Sequence, residues 1–247
     1  MKNVATNSAE TKSPETFSVL ARQLEGCSAE NILRWASSRY SDRLTFATGF
    51  GAEGCILIDL IGRNSIPIDL FTLDTGLLFD ETYKLWHQLE SRYGITTRAV
   101  TLGLTVTSQA SAYGDKLWKR DSDRCCGIPK VAPLEDCLMN VDAWISAIRL
   151  EQTPQRADAK VIEWNSKFGI VKINPLVRWT KKDVWRHIES PEVPYNPLHN
   201  RGYPSIGCWP CTSRIKEGED ERAGRWRGST KTECGLHEQT FPNRQEH

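Results

Sequence analysis

The sequence has no long apolar run, no internal repeat and almost no net charge. No stretch of about eighteen consecutive apolar residues occurs, which excludes a membrane-spanning helix. Thirty-two Lys and Arg side chains stand against thirty-one Asp and Glu, so the net charge is +1. This balance argues against nucleic acid or a membrane surface as partner, because neither would be attracted by the chain as a whole. Any anion must therefore bind at a local group of cations.

A secretory signal is also lacking. The first twenty residues, MKNVATNSAETKSPETFSVL, are polar, include acidic residues and contain no apolar core of signal-peptide length. We therefore expect a cytoplasmic protein. In that reducing compartment cysteines serve more often as metal ligands or catalytic thiols than as disulfides.

The composition predicts one folded domain between two polar ends. The 247 residues are 39% hydrophobic and 26% charged, which is ordinary for a globular protein with a real core. We expect residues 1–16 to be a disordered tail and residues 17–211 to form a single α/β domain. Residues 212–247, rich in Arg, Glu and Gly, are predicted to be a mobile C-terminal segment.

Hydrophobic periodicity predicts strands that alternate with helices. Strands are expected at 44–48, 66–73, 97–102, 143–150 and 169–176. Helices are expected within 17–40, with a break at Gly26 and Ser28 as N-cap, and at 55–61. Two more are expected at 80–93, where Gly94 ends the helix, and at 180–190, where Thr180 and Asp183 resemble a capping box. This alternation is typical of a mostly parallel sheet with helices on both faces, where ligands bind beyond the carboxyl ends of the strands.

Eight cysteines are present, and four of them form two tight pairs. Cys125 and Cys126 are adjacent in DRCCGIPK, and Cys208 and Cys211 form a CxxC in GCWPCT. Two such pairs can enclose zinc or an iron–sulfur cluster. Adjacent cysteines project in divergent directions, which suits a 4Fe-4S cluster better than one tetrahedral zinc. A thioredoxin-like redox CxxC is the alternative, although it leaves the adjacent pair unexplained.

The remaining cysteines fall into two groups. Cys27, Cys55 and Cys137 lie in or beside apolar stretches, so we expect them to be small core side chains. Cys234 lies in the polar sequence KTECGLHEQTF, near several basic residues and three residues before His237. Positive charge could activate this thiol as a nucleophile, and the alternative is a terminal cysteine without a role.

Several segments carry a resemblance to a known family. They are GFGAEG, LDTGLLFDETY, CCGIPKVAPL, IRLEQTP, YNPLHNRGYPSIGCWPCT, ERAGRWRG and ECGLH. Their combination resembles the assimilatory adenylyl-sulfate reductases, close relatives of the phosphoadenylyl-sulfate reductases, from about residue 40 to residue 240. The resemblance implies a Rossmann-like adenine nucleotide α-hydrolase fold, α/β in class.

The resemblance also implies a reaction. Members of this type reduce adenosine 5'-phosphosulfate to sulfite and AMP in assimilatory sulfate reduction, which supplies cysteine biosynthesis. They carry one 4Fe-4S cluster, bound by the four paired cysteines. This cluster is not the electron donor. By resemblance, Cys234 is the nucleophile that forms an S-sulfonate, with His237 in support, and thioredoxin or glutaredoxin is the reductant.

Substrate binding is expected from a helix start and a few cations. The residues predicted to bind substrate are Thr48, Gly49, Phe50, Gly51, Ala52, Glu53, Asp74, Thr75, Gly76, Lys130, Arg149, Arg222 and Arg225. The alternative for each basic side chain is a solvated surface charge.

Two positions depart from the family pattern. Leu77 follows LDTG where the family generally has Arg or Tyr, and Gly54 stands where an acidic residue is common. Reduction of the 3'-phosphorylated substrate, or of both substrates, remains the nearest alternative. More distant alternatives are a tRNA-thiolating ATP pyrophosphatase and a zinc-stabilised nucleic-acid-binding module. The oligomeric state, including a homo-oligomer, is left open by the sequence.

Overall fold

The computed structural model describes residues 14–101, 106–190, 192–229, 231, 233 and 236. A six-stranded sheet crosses this part of the chain in the order β3-β2-β1-β4-β6-β5. All neighbouring strands are parallel except β5, which runs antiparallel to β6 at one edge. The strands are β1 (Leu44–Ala47), β2 (Asp69–Leu73), β3 (Thr97–Val100), β4 (Ala143–Ile145), β5 (Ile162–Asn165) and β6 (Ile170–Ile173).

The α-helices of the described residues are mostly crossovers between these parallel strands. They are α1 (Pro14–Leu24), α2 (Ala29–Tyr40), α3 (Ala52–Arg63), α4 (Asp80–Tyr93), α5 (Val106–Tyr113), α6 (Leu117–Arg120), α7 (Ser122–Cys126), α8 (Ala132–Leu138) and α9 (Lys181–Glu189). A π-helical turn, Gly127–Val131, joins α7 to α8. None of the helices in the described part is long and apolar enough to cross a membrane.

Local signals in the sequence explain where several helices begin and end. The Ser28 side chain accepts a hydrogen bond from the Asn31 amide and caps α2. Thr180 and Asp183 form the capping box that opens α9. Gly94 ends α4 in the left-handed region at φ 62°, a conformation that glycine adopts without steric cost. These predicted boundaries are confirmed.

Alternate residues of the central strands face opposite sides of the sheet. On β4, Ala143 and Ile145 belong to one hydrophobic cluster, whereas Trp144 belongs to a second. Neighbouring β2 divides in the same way, with Leu70 in the first cluster and Phe71 in the second. The sheet is therefore buried on both faces, and the predicted α/β class with a mostly parallel sheet is confirmed.

Some elements differ from the prediction. Strand β5 was not predicted, and neither were helices α5 to α8 before β4. Strand β4 ends at Ile145 rather than at residue 150, because the chain then turns into the candidate site. Helix α1 begins at Pro14, within the predicted tail 1–16, and residues 1–13 lie outside the described residues.

The chain beyond Cys211 returns toward the CxxC turn. Thr212 forms an isolated antiparallel bridge with Arg225, and the Trp226 amide donates to the Cys211 carbonyl at 3.0 Å. Gly224 is required here, since a Cβ atom would lie 2.1 Å from the Ser213 carbonyl oxygen. The mobility of segment 212–247 stays a prediction.

Candidate functional site

A crevice lies where the connections leave β1 and β4 in opposite directions. Both strands lie side by side at the centre of the sheet, so their carboxyl ends form the topological switch point of an open α/β fold. The turn after β1 leads into α3, whose N-cap, Gly51, provides no side-chain hydrogen bond. The first amides of this 12-residue helix are thus available to an anion.

Buried contacts hold the turn between β1 and α3. The Thr48 hydroxyl accepts from the Phe50 amide at 3.1 Å. Phe50 has a positive φ of 54°, unusual for a residue with a side chain, and its ring stacks on Trp86 with 5.4 Å between centroids. A Cβ atom at Gly54 would lie 2.8 Å from the Thr48 hydroxyl oxygen. The departure from the family at Gly54 therefore has a local steric reason.

A cavity of about 440 Å³ opens at this crevice and is rich in cations. Three groups of side chains line it: those at the start of α3, those after β4, and those from α9 and the C-terminal part. Its lining residues are Gly51, Ala52, Glu53, Arg149, Gln152, Arg156, Lys181, Val184, Trp185, His199, Pro204, Ser205, Ile206, Glu221, Arg222 and Arg225.

Arg149 joins the two sides of the switch point. This residue is 3% exposed, and its Nε atom donates to the Glu53 carboxylate at 2.7 Å. The guanidinium also pairs with Glu151, and Gln152 donates to Glu53 at 2.9 Å. Burial disfavours the charged form, but the two carboxylates reverse this effect and raise the pKa of Arg149. Arg149 therefore reaches the cavity with its charge already shared by carboxylates.

Arg222 and Arg225 enter the cavity from the C-terminal part. Both guanidinium groups approach the Ser205 hydroxyl, at 3.5 Å and 3.4 Å. Arg225 also lies over the Trp226 ring, 4.4 Å from its centroid. The buried Arg225 Nε atom has no hydrogen-bond partner among the described residues, which leaves a donor for a ligand. Gly207 makes room for Arg225, because a Cβ atom there would lie 2.3 Å from Nη2.

Several cavity residues were not predicted from the sequence. Arg156 and Gln152 follow Arg149 in the same segment, and Lys181 lies at the start of α9, paired with Glu221. The repeated polar and basic residues after Arg149 in IRLEQTPQR were the available signal for Arg156. Arg156 is 9% exposed and its guanidinium binds the Glu233 carboxylate.

His199 is a further lining residue that the sequence analysis did not select. Both of its ring nitrogens are buried without a hydrogen-bond partner in the described part of the chain. Burial lowers the pKa of this histidine below its ordinary value. The ring of Trp185 packs against it edge-on, at 5.4 Å. A neutral imidazole at this wall can donate or accept one hydrogen bond toward a ligand.

The four paired cysteines are brought together beside this crevice. Cys125 and Cys126 lie at the end of α7; Cys208 is the N-cap of a short 3₁₀ turn that ends at Cys211. Burial and the negative charges that Cys126, Cys211 and Cys208 would carry raise the pKa of Cys125 to about 12, so these sulfur atoms lie within electrostatic reach of one another. No three His, Cys, Asp or Glu side chains within the described ranges converge on a position for a single metal ion.

Two polar groups approach these sulfur atoms. The Thr75 hydroxyl lies 3.3 Å from the Cys208 sulfur, and Lys130 Nζ lies 4.0 Å from the Cys126 sulfur. Burial disfavours the Cys208 thiolate, but Lys130 and Thr75 outweigh it and lower the pKa of Cys208. Both groups were predicted to bind substrate.

The remaining predicted residues are divided between the crevice and the cysteines. Asp74, Thr75 and Gly76 follow β2 and do not line the cavity; the Asp74 carboxylate accepts from Tyr83 at 2.7 Å. The Leu77 side chain is buried, and its carbonyl accepts from the Trp209 amide at 2.8 Å. The family's polar residue is thus replaced by a side chain packed beside the CxxC turn.

The predictions for Cys234 and His237 lie outside the described residues. Of the three predicted core cysteines, Cys55 is fully buried in α3 and Cys137 packs against the second hydrophobic cluster. The prediction for Cys27 is wrong: this residue is exposed, because it lies in the connection between α1 and α2, just before the N-cap.

Comparisons with known proteins agree with this architecture. Adenosine 5'-phosphosulfate reductase 1 of Bacillus subtilis is 46% identical over 85% of this chain and 91% of its own length. The adenosine 5'-phosphosulfate reductase of Halalkalibacterium halodurans is 44% identical over 87% of this chain and 94% of its own length.

Solved structures give the same result. The crystal structure of phosphoadenylyl-sulfate reductase from Candida auris, a phosphate complex, superposes with a TM-score of 0.73 and 32% identity, covering 82% of this chain and 98% of that one. An FMN adenylyltransferase from Candida glabrata shares the fold alone, with a TM-score of 0.53 and 14% identity over 87% of this chain and 71% of that one. Residues 43–214 match the phosphoadenosine phosphosulfate reductase domain. The chain belongs to the phosphoadenosine phosphosulfate reductase family.

Proposed function

We propose that this protein reduces adenosine 5'-phosphosulfate to sulfite and AMP, with Cys234 as nucleophile and thioredoxin as reductant. The observation that carries the proposal is the cationic cavity at the switch point, whose Arg156 and Arg222 bind the residue next to Cys234. The names of relatives at 44% to 46% identity support the choice of substrate.

The cavity suits a nucleotide that carries a phosphate joined to a sulfate. The open amides of α3 and the Arg225 donor provide positive ends for its anionic oxygens. The near-neutral charge of the whole chain makes these local donors necessary. Glu53 and Glu151 hold Arg149 in place, so the arginine meets a ligand in a fixed orientation.

The first chemical step would be a thiolate displacement at sulfur. The Cys234 thiolate forms an S–S bond to the sulfate sulfur, while the bond from that sulfur to the bridging phosphate oxygen breaks. The electron pair of the broken bond leaves with AMP. Cations around the phosphate stabilise the leaving group, because its negative charge grows as the bond breaks.

The second step would return the enzyme to its starting state. A thiolate of thioredoxin attacks the Cys234 sulfur, and sulfite leaves with the electron pair of the S–S bond. The second thiol of thioredoxin then displaces Cys234 from the mixed disulfide. The two electrons come from the dithiol, which ends as a disulfide. We propose a cytoplasmic location, because a reducing compartment keeps the thioredoxin dithiol and Cys234 available as thiols.

The donor set fits one 4Fe-4S cluster held by Cys125, Cys126, Cys208 and Cys211. Cys125 lies within the electrostatic influence of the other three thiols, and a cluster binds its thiolate ligands on separate iron atoms. Thr75 and Lys130 favour charged sulfur at this position. When bound, the cluster would supply structural support and an electrostatic influence on the neighbouring crevice.

The test compares the wild-type protein with Cys234→Ser. We expect wild-type protein with thioredoxin to form sulfite from adenosine 5'-phosphosulfate, and the variant to form none while retaining its metal. Parallel assays with the 3'-phosphorylated substrate distinguish the alternative specificity, which the relationship to the Candida auris enzyme makes worth measuring. Normal sulfite formation by Cys234→Ser would refute the proposed nucleophile.

Metal analysis tests the cofactor independently. Anaerobically purified protein should contain about four irons and four sulfides per chain and absorb as a brown solution. Replacement of Cys126 by Ser should lower the iron content, whereas Cys27→Ser, at an exposed site, should not. Stoichiometric zinc in a colourless protein would contradict the cluster.

A further inference from the structure

His199 is a polar side chain of the cavity wall whose hydrogen-bonding capacity the protein does not use. Both ring nitrogens are buried, and neither has a hydrogen-bond partner among the described residues. Buried polar groups in folded proteins are nearly always paired, so each exception requires an explanation. Because this ring lines the cavity at the switch point, a bound ligand is the explanation that its position favours.

Aromatic neighbours fix the orientation of this imidazole. Trp185 packs on it edge-on with 5.4 Å between ring centroids, and the Tyr195 ring lies at 6.3 Å. His199 itself belongs to a 3₁₀ helix, Pro197–Arg201, which the Asn196 side chain caps. The ring is therefore ordered before a ligand arrives, and binding does not have to immobilise it.

The imidazole of His199 is held in its neutral form. Burial lowers its pKa, although the carboxylates of Glu53 and Glu221 favour the charged ring. The Tyr203 backbone acts in the same sense as these carboxylates, from a position that does not meet the geometry of a hydrogen bond. A neutral imidazole has one N–H donor and one acceptor nitrogen. An ionised phosphate or sulfate can use only the donor, whereas a hydroxyl group can use either nitrogen.

The charges of the cavity indicate which part of the substrate faces this ring. Glu53 and Glu221 are the charged side chains with the largest influence on His199. Arg222 and Arg225 enter the same cavity from the C-terminal part and bring positive charge. A phosphosulfate is attracted by the arginines and repelled by the carboxylates, so a neutral part of the nucleotide is expected at His199.

Glu53 adds an acceptor in this region. The two hydrogen bonds of its carboxylate within the described part of the chain both use Oε1, which accepts from Arg149 at 2.7 Å and from Gln152 at 2.9 Å. Its Oε2 atom lies 3.9 Å from the position that a Cβ atom would occupy at Gly51, in the cavity lining. An ionised carboxylate oxygen only accepts, so this atom also suits a hydroxyl donor.

We propose that His199 is a substrate-contacting residue that recognises the ribose of the nucleotide through a hydrogen bond to one of its hydroxyl groups, with Glu53 Oε2 as the neighbouring acceptor. This inference rests on the proposed function, in which the substrate is an adenylate. In a nucleotide the ribose hydroxyls are the neutral hydrogen-bonding groups nearest to the phosphate. The contact orients the ribose so that the phosphosulfate meets the arginines.

Calorimetry with a set of nucleotides tests this contact. Wild-type protein and His199→Leu are titrated with AMP, 2'-deoxy-AMP and 3'-deoxy-AMP. We expect wild type to bind one of the deoxy nucleotides about tenfold more weakly than AMP, because the groups that meet the missing hydroxyl lose their partner. His199→Leu should bind AMP about fivefold more weakly than wild type does, and its preference for the hydroxyl should fall to about twofold. The ratio between two ligands cancels any general effect of the substitution on the cavity.

His87→Leu is the matched control. The His87 side chain is 76% exposed and lies on α4, outside the cavity lining. The same chemical change there should leave all three affinities unaltered. His199→Gln provides a second variant: its amide can both donate and accept, so it should retain more of the preference for the hydroxyl than His199→Leu does.

Inorganic phosphate shows whether the ring contacts the anion instead. We expect wild type and His199→Leu to bind inorganic phosphate with equal affinity, because the arginines hold it. A parallel loss of affinity for phosphate and for AMP would overturn the assignment of His199 to the ribose.

The stability of the variant separates a ligand contact from a structural role. Removal of the two ring nitrogens breaks no hydrogen bond within the described part of the protein. His199→Leu should therefore unfold at the same denaturant concentration as wild type, or at a higher one. A clear shift to lower denaturant, or a failure to fold, would show that the ring serves the fold and would count against the inference.

The outcomes distinguish this inference from the proposed function. The proposed function fails if wild-type protein with thioredoxin forms no sulfite from adenosine 5'-phosphosulfate. The inference alone fails if sulfite is formed but wild type binds AMP and both deoxy nucleotides equally well. It also fails if His199→Leu keeps the full preference of wild type for the hydroxyl.

Discussion

The Thr75 hydroxyl lies 3.3 Å from the sulfur of Cys208, and both groups are buried. The same hydroxyl accepts from the Leu77 amide at 3.2 Å, so its own proton can be donated to the sulfur when that sulfur is a thiolate. The loop after β2 thus contacts the CxxC turn through a side chain and, at Leu77, through its backbone. Hydrogen bonds to thiolate ligands stabilise their charge and tune a bound metal group.

Thr75→Val should weaken retention of the cluster without unfolding the protein. Valine keeps the shape of threonine but removes the donor to Cys208. We expect faster loss of iron and of brown absorbance on exposure to air, measured against wild type. Thr75→Ser retains the hydroxyl and should behave like wild type. Equal iron loss in all three proteins would show that this contact does not support the cluster.

The close approach of Gly54 to Thr48 gives a second prediction. Gly54→Ala should destabilise the turn between β1 and α3, because the new methyl group would lie 2.8 Å from the Thr48 hydroxyl oxygen. We expect the free energy of unfolding to fall by about 1–3 kcal/mol, as in other overpacked sites, and AMP affinity to fall with it. Denaturant titration and calorimetry measure the two effects.

A double variant separates the steric cause from helix propensity. In Thr48→Ala/Gly54→Ala the obstructing hydroxyl is absent, although the Phe50 amide also loses its acceptor. If the clash is the cause, the effects of the two substitutions on the free energy of unfolding should not add. Gly54→Ala should then lower this free energy less in the Thr48→Ala background than in the wild-type protein. Strict additivity would argue against the clash.

Much of this fold could be predicted from local sequence, because short-range signals determine it. The apolar strand 44–48, the glycine-rich turn and the following helix were recognisable, and so were the capping box at Thr180 and the helix end at Gly94. The edge strand β5 was missed because its apolar pattern is short; among the described residues it pairs with β6 alone.

The candidate site was harder to predict from local sequence patterns. The four paired cysteines were identifiable from their spacing, but the contact between Arg156 and Glu233 spans 77 positions and has no local signal. The family resemblance predicted Arg149 as a substrate-binding cation, yet its two carboxylate partners and deep burial appear only in three dimensions. Cys27 shows the converse, since apolar neighbours in sequence did not place it in the core.

The buried position of Arg149 gives a third prediction. Lysine keeps the charge but cannot reach Glu53 and Glu151 together, since it has one nitrogen in place of a planar fork. We therefore expect Arg149→Lys to lower the free energy of unfolding by about 1–3 kcal/mol and to raise KM for the substrate. Chemical denaturation and steady-state kinetics measure these effects.

Arg43→Lys is the control for that substitution. Arg43 also contacts a carboxylate through two nitrogens, on Asp142, but both side chains are more than half exposed. Exposed ion pairs contribute little to the free energy of unfolding, so the stability and KM of Arg43→Lys should stay near the wild-type values. A comparable loss in both variants would show that burial of Arg149 is not what makes the guanidinium necessary.

The last prediction concerns Asp59, a carboxylate with no exposed side-chain surface in the middle of α3. It accepts from Arg63 at 2.5 Å and from the Tyr93 hydroxyl at 2.7 Å, and lies 3.1 Å from His187 Nε2. Burial alone would raise its pKa, but these three groups outweigh it and lower the pKa below the ordinary value. The charged carboxylate therefore joins α3 to α4 and α9.

The sign of the pH dependence follows from that lowered pKa. The stabilisation by Asp59 is complete above its unfolded-state pKa of about 3.9 and is lost as the pH falls toward the lower folded-state pKa. Asp59→Asn should cost about 1–3 kcal/mol at pH 7, because the partners of the charge remain. The difference in the free energy of unfolding between Asp59→Asn and wild type should become smaller as the pH falls below about 4. Asp142→Asn, at an exposed pair, should show little change at any pH, and a pH-independent difference for Asp59→Asn would contradict the ionised carboxylate as the source of stability.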